Sequence, residues 1–229
     1  MSFGQNLQFL RKMHRSMTQE ELAEKMGVSR QTISKWELDA AYPEMDKVIE
    51  LCQYFSCSMD QLMREDMNVC CEAYSDIRVE CIGPFRYVRY AVISMEPEED
   101  AIGHVKGWAA HCGVDQPEII GWDFPVLSQE QINVYHMHGY AAAWVLPDNL
   151  QPEGADVVWQ QGQKYAVITI KNPFSAPFSL IPNAYKALAS YMQVNGIRHK
   201  EDKACLPCYE KTYEKDGICF MDVLIAADL

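Results

Sequence analysis

Between Arg30 and Lys35 the chain gathers side chains able to read a nucleic acid. Arg30 and Lys35 carry positive charge for phosphates, Gln31 offers an amide that donates and accepts, and Thr32 and Ser34 bring hydroxyls. Gln19, Ala23, Gly27 and Ile33 frame them at offsets 0, 4, 8 and 14. That spacing has a steric cause: Ala23 must be small for a second helix to cross close by, Gly27 makes the turn, and Val28 and Ile33 fill the shared core. Two other groupings could do chemistry. Cys205-Leu206-Pro207-Cys208 is a lone C-x-x-C; zinc would want two more ligands at short spacing, and none follows, so it reads as two unlinked thiols on a strand, with a redox pair as the alternative. Cys70-Cys71 says less still. His136-Met137-His138 would put two imidazoles on one strand face, but with His104 and His111 it supplies no nameable third ligand, so no metal is expected.

The elements that position the first grouping are short helices over residues 3–64. Leu7, Leu10 and Met13 recur at helical spacing. Thr18-Gln19-Glu20-Glu21 is a capping box that opens a helix running through Leu22, Ala23 and Met26 to a stop at Gly27. Ser29 can cap the next helix, which turns Ile33 and Trp36 inward and leaves Arg30, Gln31, Thr32, Ser34 and Lys35 outside. Met45, Val48, Ile49, Cys52 and Phe55 predict another amphipathic helix after Pro43, and Ser58 to Met63 a last short one. Residues 67–75 read as a linker.

Beyond the linker the texture changes. Alternation as in Arg78-Val79-Glu80-Cys81-Ile82 predicts strands, interrupted by helical stretches over about 97–112 and 181–195. Tyr90-Ala91-Val92-Ile93-Ser94 returns as Tyr165-Ala166-Val167-Ile168-Thr169; Trp108 precedes Gly113 by five residues as Tyr191 precedes Gly196, and Pro125 and Pro207 follow. Two strand-helix-strand-strand units, paired about a pseudo-twofold with a cleft between them, account for that order. The expected fold is therefore two domains: an all-α bundle of about five helices in 1–66, then an α+β duplicated unit in 76–229.

The composition is that of a globular protein, with 48% hydrophobic and 23% charged residues. The start at Met1-Ser2-Phe3-Gly4 shows no basic and then apolar leader, and the apolar run Ala141–Leu146 is too short for a bilayer. A cytoplasmic protein with reduced thiols and no membrane partner is expected. The net charge of −12 sits mainly outside the N-terminal segment, since residues 1–66 hold 8 basic and 11 acidic side chains. Within that segment Arg11, Lys12, Arg15, Arg30 and Lys35 are expected to form a local basic patch, with Glu37 offsetting neighbouring charge and Trp36 in the core.

The run Thr18-Gln19-Glu20-Glu21-Leu22-Ala23-Glu24-Lys25-Met26-Gly27-Val28-Ser29-Arg30-Gln31-Thr32-Ile33-Ser34-Lys35-Trp36-Glu37 resembles the helix-turn-helix of Cro/lambda-repressor-type regulators, the XRE family. The resemblance implies that Gln19 clamps a phosphate and Gln31 reads a base, with Arg30 and Lys35 on phosphates or bases. It implies a homodimer on an inverted-repeat operator in double-stranded DNA.

The second part, over roughly 76–228, resembles the GyrI-like effector-binding domain of multidrug-responsive and Rob-type (AraC) activators. Ile120-Gly121-Trp122-Asp123-Phe124-Pro125 looks like that family's run after its first helix, and Cys205-Leu206-Pro207-Cys208-Tyr209-Glu210 like the strand presenting its pocket glutamate. The family's tyrosine two residues past the glutamate is Thr212 here, with Tyr213 next. The resemblance implies a small-molecule effector, drug-like and cationic or amphipathic, at Glu210 among aromatics: Trp122, Trp108, Tyr165, Tyr191, Phe174 and Tyr140. A carboxylate among aromatic rings in a low-dielectric cleft attracts flat cations by Coulomb and cation–π terms. No cofactor is implied and no enzymatic activity is expected. Two alternatives remain open, a hydrolase using the glutamate as general base and a ligand-free protein-interaction module.

Overall fold

The structure, a computed structural model, describes residues 2–14, 16–65, 73–75, 77–124, 127–200, 202 and 204–229. Arg15, Cys70, Cys71, Pro125 and most of the expected linker lie outside the described residues. The chain packs as two compact units. One comprises Met1–Arg78, Ile168–His199 and Ala227–Leu229, the other Val79–Val167 and Lys200–Ala226. No helix is long and apolar enough to cross a membrane among the described residues.

The first unit is built on α1 (Phe3–Met13), α2 (Gln19–Met26), α3 (Arg30–Glu37), α4 (Met45–Tyr54) and α5 (Met59–Met63). Their boundaries follow from local chemistry. Ser2, Thr18 and Ser58 close capping boxes with Gln5, Glu21 and Gln61, while Ser29 caps α3 by accepting from the Thr32 N–H. Gly27 sits at φ +64, the left-handed conformation that ends α2, and Val28 N–H bonds the Ala23 carbonyl at 3.0 Å. Leu7, Leu10, Leu22, Ile33 and Phe55 make the core with Trp36, as the spacing predicts; Leu51 and Leu62 join them, whereas Met45 and Ile49, expected on the apolar face of α4, are exposed because Leu51 takes the inward position. Each such fully buried side chain stabilises by about 1.5–3 kcal/mol. Gly4 lets α1 lie on the end of α3: a Cβ there would stand 2.4 Å from the Trp36 carbonyl oxygen.

This unit also holds a helix from far along the sequence. α8 spans Pro177–Val194, beginning earlier than the pattern predicts because Pro177 occupies its first turn. Its C-terminal end docks on the bundle. Val194 joins the core of α1–α5, Asn195 Nδ2 donates to the Met13 carbonyl at 3.2 Å, His14 Nδ1 meets the Val194 carbonyl at 3.1 Å, and Gln193 donates to the Ser56 carbonyl. A short strand, β7 (Arg198–His199), then pairs with Asp228 and Ala227.

The second unit is mainly sheet. Its strands are β1 (Arg78–Ile82), β2 (Phe85–Ser94), β3 (Glu118–Asp123), β4 (His138–Val145), β5 (Val158–Gln160), β6 (Gln163–Lys171), β8 (Cys208–Lys215) and β9 (Ile218–Asp228), with helices α6 (Pro97–His111) and α7 (Gln129–Asn133). The strands run in the order β1-β6-β9-β8-β3-β4-β2-β5. The expected duplication is present as β2-α6-β3-β4 and β6-α8-β8-β9, with α7 inserted in the first copy and β7 in the second. Gly113 and Gly196 both take positive φ just past their helices, at +79 and +65. The apolar run at Ala141 is β4, buried on both faces.

Two sequence expectations are corrected. His136 lies ahead of β4 at φ +51, so it and His138 do not share a strand face. Cys205 falls in the turn before β8, and only Cys208 is on the strand.

Candidate functional site

The outer side of α3 carries Arg30, Gln31 and Lys35 exposed, with Thr32 and Ser34 partly covered. Thr32 belongs partly to the cap, its hydroxyl lying 2.9 Å from the Ser29 hydroxyl. Ile33 and Trp36 are buried at 0% and 4% exposure, which fixes the rotation of α3 and hence which residues face out. Gln19, at the start of α2, is held from behind: its Nε2 donates to Glu37 Oε2 at 2.8 Å. Glu37 is itself held by Arg11, through Nε at 2.5 Å and Nη2 at 3.0 Å, while Arg11 Nη1 donates to the Met17 carbonyl at 2.5 Å. Arg11 and Glu37 are both buried. Arg11 therefore does not belong to the surface basic patch, and Glu37 is not a surface counter-charge. Together they tie α1 to the end of α3 and orient the Gln19 amide, leaving its second N–H for an outside acceptor.

On the sheet, the strand register decides which side chains can meet. Directly opposed residues of antiparallel strands project to the same face. β3 opposes β4 as Gly121 to Ala142 and Asp123 to Tyr140, and β3 opposes β8 as Gly121 to Glu210. Glu210, Gly121, Asp123, Tyr140 and Ala142 thus share one face. Tyr140, Ala142 and Trp144 pack there with Ala101, Val105 and Ala109 of α6. Glu98, in the first turn of α6, joins them.

Tyr140 is the centre of this grouping. It is 6% exposed, and its ring crosses over Gly121 so closely that a Cβ there would stand 2.0 Å from the phenol oxygen. Burial raises the phenol's pKa well above the ordinary range, and the carboxylates of Glu210, Glu98 and Asp123 raise it further. Burial also raises Glu98, with repulsion from Asp123 adding to it; Asp123 is raised by burial and partly relieved by His138. Among the described residues, no three His, Cys, Asp or Glu side chains are grouped to hold a metal ion.

The other expected aromatics are distributed by the same register. Trp122 opposes Ala141 and projects to the far face, edge-on to Tyr87 with ring centroids 6.3 Å apart. Tyr165 is fully buried on that far face, donating to the Leu206 carbonyl at 2.9 Å and accepting from Gln160 Nε2 at 3.0 Å. Neither therefore shares a face with Glu210, and Tyr165 is a core residue. Trp108 stands on α6, edge-on to His104 and to Tyr90, which stack at 3.8 Å. Tyr191 and Phe174 belong to the first unit, half-buried and 58% exposed respectively.

Residues 7–62 match the family model described as helix-turn-helix. The N-terminal segment is a helix-turn-helix domain of the XRE type. Over 63 residues it is 43% identical to the HTH-type transcriptional activator BcrR of Enterococcus faecalis, covering 28% of this chain and 30% of that protein. Over 61 residues it is 34% identical to the HTH-type transcriptional regulator YobD of Bacillus subtilis, covering 27% and 54%. The chain thus spans about a third to a half of the curated relatives it matches. Among solved structures, EcmrR in its complex with DNA covers 90% of this chain and 97% of its own, at 10% identity and a TM-score of 0.45.

Within the helix-turn-helix domain, sequence reasoning found the exposed side of α3 but missed the brace beneath Gln19, because Arg11 and Glu37 look like any other surface charges in a linear reading. In the second unit Asp123 stood in the quoted run without a role, and Glu98 in an acidic helix start that serves equally to complement the helix dipole. Only the register and the α6 packing bring them to Glu210.

Proposed function

We propose that this chain is a ligand-controlled, DNA-binding transcription regulator that works as a homodimer on an inverted-repeat operator. The observation that carries the first half is α3: five polar or basic residues turned outward behind a glycine turn, with Gln19 held by Glu37 at its flank. Such a helix enters a major groove, and two copies set half-sites about one helical turn apart. The names of the curated relatives, a transcriptional activator and a transcriptional regulator, support this reading.

The second half rests on the Glu210 face of the GyrI-like unit. A partly buried carboxylate beside a phenol suits a cationic or amphipathic small molecule, held in a low dielectric. Trp108 is kept as an expected ligand residue.

The DNA reading is tested by operator selection followed by Gln31→Ala. The substitution is expected to cost roughly 1–3 kcal/mol and relax preference at one base position. Uniform loss across all operator variants would instead make Gln31 a backbone contact. Turnover of an electrophilic small molecule, lost in Glu210→Gln, would make the second unit a hydrolase.

A further inference from the structure

The end of α4 carries two reactive side chains that the DNA-binding face does not use. α4 closes in a Schellman turn: the Cys57 N–H bonds the Cys52 carbonyl at 3.0 Å, the Ser56 N–H bonds the Gln53 carbonyl at 3.3 Å, and Ser56 takes the left-handed φ of +51. Such a turn sets against each other the two side chains, five residues apart, whose backbones it bonds. α2, α6 and α8 close by the same bond and fill those two places with apolar pairs, Ala23 with Val28, Ala109 with Val114, and Met192 with Ile197. In α4 the two places hold thiols. Cys52 and Cys57 are unbridged and half-buried, pack against the bundle core, and act on each other directly by charge and hydrogen bonding. An apolar pair serves the turn equally well, so it is the reactivity of the thiols that sets this pair apart.

Their surroundings select the chemistry. Burial raises both thiols, and Cys57, with Cys52 adding to the effect, is pushed up to about 12. Both are therefore neutral near pH 7, which disfavours zinc or monovalent copper, since these ions are held by thiolates. Among the described residues no third His, Cys, Asp or Glu is grouped with them. The same burial slows disulfide formation, which starts from a thiolate. A trivalent arsenical asks for neither a charge nor a third ligand. Its two As–O bonds break and two As–S bonds form; each thiol proton leaves with a hydroxide as water, arsenic stays trivalent, and the adduct is neutral.

The location gives occupancy a consequence. Between the two thiols the Ser56 carbonyl accepts from Gln193 of α8, and Tyr54 and Phe55 pack on His14, whose Nδ1 meets the Val194 carbonyl at 3.1 Å. We propose that Cys52 and Cys57 form a covalent two-thiol site for trivalent arsenicals, and that filling it stiffens the turn on which the end of α8 docks. This site stands apart from the Glu210 face and does not depend on it.

The test uses the reduced full chain and phenylarsine oxide, which hydrates in water to an arsenical with two exchangeable hydroxides. Trypsin leaves Cys52 and Cys57, and no other cysteine, on residues 48–64, while Cys70, Cys71, Cys205 and Cys208 fall on other peptides. At one equivalent of reagent, mass spectrometry is expected to find one phenylarsenic on residues 48–64, with two thiol hydrogens lost. Cys52→Ser and Cys57→Ser should each weaken retention against glutathione by about a hundredfold or more, since the second sulfur binds intramolecularly. Cys52→Ala combined with Cys57→Val, which copies the pair at Ala23 and Val28, should melt like the unsubstituted chain and lose the reagent. In the unsubstituted chain, saturation should slow hydrogen exchange at the C-terminal end of α8 by about threefold or more. Reagent confined to the other peptides, or retained by the single serine variants as well as by the unsubstituted chain, would overturn the site. Residues 48–64 found two hydrogens lighter and free of arsenic would make the pair a disulfide switch instead. Bound reagent with unchanged exchange at the end of α8 would overturn the coupling to that helix.

Discussion

Gly121 shows how much one residue can carry and how little of that is visible in a linear sequence. In the run Ile120-Gly121-Trp122-Asp123 it is a glycine in a strand, which ordinarily signals a bulge or a close approach. The structure makes it the second kind: the Tyr140 phenol lies across it. The obstacle is the tip of a side chain, yet that side chain is 6% exposed and packed under α6, so it cannot simply swing away. Gly121→Ala is therefore expected to destabilise the fold by about 1–3 kcal/mol, in the range of overpacked cores. Chemical denaturation measures it. Adding Tyr140→Phe, which removes the oxygen nearest the new methyl, should recover part of the loss; a cost unchanged by the second substitution would mean the strain lies in the backbone instead. The same limit explains the aromatic set. Residue type named Trp122 and Tyr165 as ligand candidates, but the alternation of side chains along a strand turns them away from Glu210. Type can be read from a sequence; the face can be read only once cross-strand partners are known.

At the scale of elements, what was legible was what is local. Capping boxes at Thr18 and Ser58, the glycine stop at Gly27 and the apolar spacing of α1 to α4 involve residues within a turn or two of each other. α6 begins at Pro97 as expected, with the proline at its first position and acidic residues through its first turn. The docking of α8 was not legible, because its partners Met13, His14 and Ser56 lie more than 130 residues away in sequence. A division of the chain at the linker assigns α8 wholly to the second domain, whereas its end packs with the first. Asn195 is the pin of that contact: Nδ2 donates to the carbonyls of Met13 and Tyr191, at 3.2 and 2.8 Å. Its Oδ1 is buried without a partner among the described residues, which offsets some of the gain. Asn195→Ala is accordingly expected to lower stability by about 1 kcal/mol. Hydrogen exchange should show the loss at the C-terminal ends of α1 and α8 first. Unchanged protection there would show that Val194 packing alone holds the helix.

At the scale of the whole molecule, the proposed function requires that a ligand beside Glu210 alter the proposed hold of α3 on DNA. A ligand shifts a regulator only by the difference in its affinity for two states. α8 is a candidate carrier of that difference, since it follows β6 in the chain and ends in the core of the helix-turn-helix domain. Linkage then makes a demand that no detail of the route can evade. If the effector changes operator affinity by some factor, the operator must change effector affinity by the same factor. For coupling of ordinary size, roughly 1–3 kcal/mol, that factor lies between about 5 and 150. The measurement is a closed cycle: operator binding with and without saturating effector, and effector binding with and without saturating operator, in one buffer at one salt concentration, because the phosphate contacts make the DNA arm steeply salt-dependent. We expect the two factors to agree, and both to shrink together in Asn195→Ala if α8 carries the coupling. Factors that agree but do not respond to Asn195→Ala would move the carrier elsewhere, to the chain between the units or to the dimer interface. A factor of one on both arms would mean that the second unit senses nothing the DNA-binding domain can feel.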